Sequence, residues 1–256
     1  MGQICCVIVG ILLNITGNFN KAIIDCLEKI QLRFCKLLLK LKSSTPKYMI
    51  YGDLGRFSIG IDIKIKIVSF WARLFGERNK LLYTLSTEEN VHLVWIKYLK
   101  ELFDETGNSS IGINQDIPNS NWLISSNKLR PHDQFKQGWY SLIEHSPKAL
   151  NYRIFKENFE FENYFRVLED KDIYTLCKFR TTNHKLPIET GRWNNIDRVN
   201  RICTKCDNKT IGDEYHYIME CEHFSNFRNR FIVTNLRERP NILKFKQIMS
   251  AYQKKI

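Results

Sequence analysis

CTKCDNKTIGDEYHYIMEC, from Cys203 to Cys221, carries three thiols and an imidazole in the order C-x2-C-x9-H-x4-C. Two cysteines two residues apart can turn both sulfurs onto one ion, and a His-x4-Cys pair can close a tetrahedron from the next element, as structural zinc sites require. Cys203, Cys206, His216 and Cys221 are therefore the expected ligands of a Zn2+ ion. Three thiolates and one imidazole leave no ligand position for water, so the ion is expected to staple the fold and to do no chemistry. Free cysteines also occur buried as small hydrophobes. Here, however, Thr204, Lys205, Asp207, Asn208, Lys209 and Thr210 make the surroundings a polar loop. His223, two residues past Cys221, is an alternative fourth ligand; the x4 spacing is the usual one and favours Cys221.

Gly212-Asp213-Glu214 reads as a helix start with Asp213 as N-cap, which puts His216 in the first turns and Cys221 near the end. Five residues set two α-helical positions about 140° apart, so the helix is expected to loosen before Cys221.

Outward from this segment, the 256 residues, 43% hydrophobic and 26% charged, suit one or two ordinary cores and exclude a fibrous or wholly disordered chain. The net charge of +12 favours polyanionic partners, nucleic acid or an anionic membrane surface, and RNA or single-stranded DNA is the partner expected. Eight cysteines at irregular spacing, with nothing that reads as a secretory leader, point to a reducing intracellular compartment, nucleus or cytoplasm alike. The apolar run Ile4 to Ile15 is too short for a membrane span and lacks a basic flank. Met1-Gly2 with Cys5 and Cys6 is a poor acylation signal, since Cys6 stands where Ser or Thr is usual. Membrane attachment is not expected.

The chain reads as mainly α, helical segments followed by a small CCHC zinc knuckle. Ile23, Leu27, Ile30, Phe34, Leu37 and Leu41 form a 3.6-residue stripe over Lys21 to Leu41, stopped by Ser43-Ser44-Thr45-Pro46. Ile59, Ile61, Ile63, Ile65 and Ile67 alternate as a strand would, yet Ile61, Ile65, Val68, Trp71, Ala72 and Phe75 fit a longer helix, which is preferred. Ser86-Thr87-Glu88-Glu89 makes a capping box ahead of Val91, Val94, Trp95, Tyr98, Leu99 and Leu102, with Gly107 as the stop. Leu129 to His145 and Asn158 to Arg180 have helical periodicity, and Phe159, Phe161, Tyr164 and Phe165 are expected to pack a core. Residues 106–121, rich in Gly, Asn and Ser, are expected to be a loop or linker between a region 1–105 and a region 122–256 that contains the knuckle at 203–221.

The stretch TLCKFRTTNHKLPIETGRWNNIDRVNRICTKCDNKTIGDEYHYIMEC, Thr175 to Cys221, resembles the reverse-transcriptase zinc-binding region that follows the polymerase in LINE-type non-LTR retrotransposon proteins. YGDLGRFSIGIDIKIKIVSFWARL, Tyr51 to Leu74, is similar to the segment just after the polymerase thumb in the same proteins, and the two lie in the expected order. The resemblance implies a helical post-polymerase segment plus a zinc knuckle that grips element RNA or target DNA. It implies Cys203, Cys206, His216 and Cys221 as ligands, and Asn183, His184, Lys185, Arg192 and Trp193 fall on the family's block without a defined role. The x9 loop is longer than the x4 loop of retroviral-type knuckles.

Nucleotidyl transfer needs clustered carboxylates to hold two magnesium ions, and the chain has no Asp-Asp pair; no phosphate-cradling G-x-x-x-x-G-K-[ST] loop, H-E-x-x-H or G-x-S-x-G is present either. An enzyme is not expected. The expected function is non-catalytic, zinc-dependent binding of nucleic acid by a retrotransposon-derived fragment, with Arg180, Lys185, Arg192, Arg198 and Arg201, which lead into the knuckle, as preferred phosphate contacts. The alternatives are a non-functional remnant that exposes apolar surface, and a membrane-tethered or protein-binding module using the apolar N-terminus.

Overall fold

The stripe beginning at Lys21 forms helix α1 (Lys21–Leu38), which stops three residues before the expected Leu41. Lys40 adopts a φ of 53°, Leu41 N–H bonds the Lys36 carbonyl at 2.8 Å, and Lys40 N–H bonds that of Leu37 at 3.1 Å. This is a left-handed cap of the kind glycine usually supplies, here made by lysine. The structure, a computed structural model, describes residues 21–76, 94–114 and 120–250. The apolar run at 4–15 and the capping box at 86–89 lie outside the described residues.

After α1 come α2 (Lys47–Asp53), α3 (Ile59–Gly76), α4 (Val94–Glu105), α5 (Ser109–Asn114), α6 (Ser120–His145), α7 (Tyr152–Phe155), α8 (Tyr164–Val167), α9 (Asp170–Arg180) and α10 (Pro187–Trp193). The knuckle follows, and then α11 (Ser225–Phe231), α12 (Thr234–Arg237) and α13 (Ile242–Ser250). The protein is mainly α; among the described residues the only β pairings are the isolated bridges Leu54 with Phe161 and Ile202 with Ile211. No described helix is long and apolar enough to cross a membrane.

The chain divides into two compact units. The first draws on described residues within Met1–Leu32 and Phe57–Gly138, the second on Arg33–Arg56 and Trp139–Ile256. In the first, Ile63, Ile67, Val68, Trp71 and Ala72 of α3 pack with Leu99, Leu102, Phe103, Ile111 and Leu123. The buried positions of α3 step by three and four, so the isoleucine repeat is helical, as preferred. Its apolar face is turned from the expected one, with Ile63 and Ile67 buried and Ile61 and Ile65 only half-buried. Gly107 ends α4 with a φ of 67°.

The segment 106–121 is not the plain loop its composition suggests. Thr106 and Asn108 are buried, and α5 carries Ile111 into the core. Thr106 Oγ1 lies 3.0 Å from Asn127 Oδ1 and donates to the Leu102 carbonyl at 2.8 Å. Its polar side chains thus serve the hydrogen bonding of a packed turn, and a buried turn needs such partners.

The second unit has an aromatic core with an ionic centre. Trp139, Tyr152, Phe155, Phe159, Tyr164 and Phe245 are buried. Among them Arg180 is 1% exposed, its Nε 3.1 Å from Asp53 Oδ2 and its Nη2 3.0 Å from Glu162 Oε2. Nη1 donates to the Met249 carbonyl at 3.0 Å. Tyr152 and Tyr164 hydroxyls donate to the two oxygens of Asp53, at 3.0 and 2.9 Å. Desolvation, and next the Asp53 charge, pushes both phenols well above their ordinary range, so they remain donors. Phe159 and Tyr164 pack as expected, whereas Phe161 is 42% exposed and meets Phe165 and the Arg166 guanidinium. The expected continuous helix from Asn158 to Arg180 is broken: Leu168 and Glu169 are extended, at ψ 158° and 155°. Asp170 and Asp172 then restart α9 in its first turn, where a helix favours negative charge.

Candidate metal centre

Two short elements bring the four predicted ligands together. The first is a hairpin: Cys203 N–H bonds the Thr210 carbonyl at 2.8 Å and Gly212 N–H bonds that of Arg201 at 2.9 Å, so Cys203 and Cys206 sit on its arm and tip. The second begins at Glu214, with Asp213 Oδ1 accepting from His216 N–H at 3.0 Å, the N-cap expected from sequence. From His216 to Glu220 it is a π turn, closed by Cys221 N–H on the His216 carbonyl at 2.8 Å. An α-helix would leave His216 and Cys221 about 140° apart; the wider i→i+5 turn narrows that offset. This is the loosening the spacing demands, and single π turns recur at functional sites for such reasons.

One ligand atom from each of Cys203, Cys206, His216 and Cys221 lies within 4.8 Å of all the others. The group is close enough to hold a metal ion. Cys203 Sγ is 3.8 Å from Cys221 Sγ, and Cys206 Sγ is 3.4 Å from His216 Nε2. Cys203, His216 and Cys221 are buried and Cys206 is half-buried. His223 is exposed, lies edge-on to Phe224 and is not one of the clustered groups.

Neighbours orient these ligands. His216 turns Nε2 inward, while Nδ1 is 3.0 Å from Thr210 Oγ1 and 3.7 Å from Glu220 Oε2. A ligating imidazole is commonly fixed through its other nitrogen in this way. Lys205 N–H donates to Cys203 Sγ at 3.4 Å. Burial alone would raise the Cys203 thiol, but the Tyr217 hydroxyl and the Lys205 and Cys206 N–H groups bring it down to about 6. Burial, with the neighbouring Cys203 and Cys206 side chains, pushes Cys221 up to about 11. Cys203 is thus held toward its thiolate, and Cys221 toward its thiol until a cation offsets the charge.

The Asn183 to Trp193 block proves to be the knuckle's mount. His184 Nε2 donates to Glu214 Oε1 at 2.7 Å, and its Nδ1 accepts from Leu186 N–H at 3.3 Å. Glu214 Oε2 accepts from Asn151 at 2.6 Å, and Ile188 N–H bonds the Gly212 carbonyl at 3.1 Å. Asn183 holds Thr45 at 2.6 Å, and the Lys42 ammonium lies 4.1 Å over the Trp193 ring. Thr210, Tyr217, Glu220 and the His184–Glu214 pair were not legible as site residues. The one signal was position: four of the five, all but His184, lie between Cys203 and Cys221.

The five predicted phosphate contacts fare differently. Arg180 belongs to the core and is withdrawn, since a guanidinium held by two carboxylates and a carbonyl inside the fold cannot meet a phosphate. Arg192 pairs with the buried Glu189 and donates to the Pro147 carbonyl at 3.3 Å. Arg198 is exposed, 3.8 Å from Asp213 Oδ2. Arg201 straps the hairpin, Nε on the Ile196 carbonyl at 2.8 Å and Nη1 on that of Ile188 at 3.1 Å. Lys185 is exposed.

No family model, curated protein or solved structure matches the chain. The reading of the site rests on its own chemistry.

Proposed function

We propose that the protein is a non-catalytic nucleic-acid-binding module whose C-terminal unit is organised by a structural Zn2+ ion. We further propose that it derives from the C-terminal region of a LINE-type reverse transcriptase, on the motifs between Tyr51 and Leu74 and between Thr175 and Cys221. The carrying observation is the clustering of Cys203, Cys206, His216 and Cys221 in a chain of net charge +12. Zinc is favoured by metrics as well as donor type. Zn–S bonds of about 2.3 Å and Zn–N bonds of about 2.0 Å at tetrahedral angles imply S···S and S···N edges of about 3.8 and 3.5 Å. Two of the six edges, Cys203 to Cys221 and Cys206 to His216, are 3.8 and 3.4 Å, and all six lie within 4.8 Å. Four protein ligands would saturate the ion, so its contribution would be to hold the hairpin against the π turn.

The test is a salt titration of binding to single-stranded RNA and DNA by fluorescence anisotropy, on protein carrying one equivalent of zinc. Log affinity should fall linearly with log salt, by about 0.7 per phosphate contacted. Absence of binding at low salt would sink the reading. It would favour instead a retroelement remnant, which the exposed Phe34, Leu37 and Leu38 of α1 also suit.

A further inference from the structure

Beside the knuckle runs a groove of about 480 Å³ whose walls come from 185–205 and from Tyr217 and Phe224. Lys185, Arg201 and Lys205 supply positive charge, and among the described residues no carboxylate lines it. Lys185 and Lys205 are exposed and make no ion pair among the described residues, so their ammonium groups are available. Arg201 is pinned by backbone carbonyls and stands as a fixed cation. Tyr217 and Phe224, half-buried, form an aromatic pair with centroids 5.6 Å apart and planes inclined at 44°.

We propose that this groove is a single-strand nucleic-acid site in which a base lies against the Tyr217–Phe224 pair while Lys185, Arg201 and Lys205 take the flanking phosphates. The inference rests on the nucleic-acid reading above; of the contacts expected from sequence it keeps Lys185 and Arg201, adds Lys205, and leaves out Arg180, Arg192 and Arg198. Cations alone would suit any polyanion. Cations around an aromatic floor are the combination that single strands use, because every base offers a flat face and every nucleotide a charge. A duplex must unstack a base to reach such a floor, which costs energy a single strand does not spend. The groove is also tied to the metal ligands. Tyr217 follows His216 in the π turn, and Lys205 lies between Cys203 and Cys206.

The test compares a fluorescein-labelled oligothymidylate with a blunt duplex of equal length, on full-length protein and variants verified to hold zinc. Lys185→Ala with Lys205→Ala should flatten the salt slope by about 1.4, two contacts at about 0.7 each. Phe224→Leu should weaken single-strand binding about tenfold at unchanged slope, with Phe224→Tyr restoring it. The duplex should bind at least about tenfold more weakly than the single strand. Parent binding that survives the lysine and Phe224→Leu changes would overturn the groove, as would equal affinity for duplex or efficient competition by polyglutamate. No binding by the parent to any strand would instead overturn the underlying nucleic-acid reading.

Discussion

Arg180 shows how much a single side chain's role depends on what folds around it. Its partner Asp53 is 127 residues away in sequence, so nothing local distinguishes it from Arg192, Arg198 and Arg201, which follow. In the fold it is the centre of a buried network with Asp53, Glu162, Tyr152 and Tyr164 and lies 4.5 Å over the Phe155 ring. Removing one member of a buried pair leaves the other charge desolvated and alone. Arg180→Ala should therefore lower stability by about 3–5 kcal/mol, read as a drop in urea midpoint. Arg180→Lys should recover little of it, since an ammonium cannot bridge two carboxylates as a planar fork does. A variant as stable as the parent would show the network to be incidental. The metal ligands are the opposite case. All four lie within nineteen residues and local spacing sets how they meet, so their clustering was legible, with Cys221 and not His223 as the fourth member.

At the scale of elements, periodicity gave the helices and missed what interrupts them. The isoleucine repeat on α3 was read correctly because its helical pattern outlasts its alternation. The break before α9 was missed because Glu169-Asp170, which starts the helix, sits inside an apolar pattern continuous across it. Packed turns were missed for a related reason: Gly, Asn and Ser at 106–121 look the same whether they face water or a core. Glycines make the same point in energy. Alanine in place of a helical glycine usually stabilises by about 0.5–1 kcal/mol. Gly138 of α6 is exposed and an added Cβ meets nothing within 4 Å, so Gly138→Ala should raise the urea midpoint. A Cβ added at Gly52 of α2 would lie 2.5 Å from Tyr152 Oη and 2.8 Å from the Trp139 ring. Gly52→Ala should lower the midpoint, by about 1–3 kcal/mol as for overpacked cores. Equal shifts of one sign would mean that intrinsic propensity, and not packing, governs both sites.

Across the whole molecule, metal dependence should be local. The first unit has an apolar core of its own in Ile63, Ile67, Trp71, Leu99 and Phe103, and the Arg180 network centres the second. The knuckle has neither. Its hairpin and π turn bury Cys203, His216 and Cys221 with Met219 and Glu214, and outside the ligands it is tied down mainly by polar contacts, His184 and Asn151 to Glu214, Ile188 to Gly212, Arg198 to Asp213 and Arg228 to the Glu220 carbonyl, and by the Tyr215 ring against Phe245. Such contacts contribute on the order of 1 kcal/mol each, too little to order some twenty residues at about 1–2 kcal/mol of backbone entropy apiece. On the proposed reading a bound ion supplies the difference, because the ligand geometry does not exist in the unfolded chain. Chelation should therefore strip amide-exchange protection from the Cys203–Cys221 segment and loosen the α10 mount. It should leave protection in α3, in α4 and around Tyr152 unchanged. Cys206→Ser should reproduce that pattern without chelator, and His223→Ala should retain both zinc and protection. Protection lost throughout the chain would make the ion the keystone of the entire fold, and protection unchanged at the hairpin would remove zinc from the account of this protein.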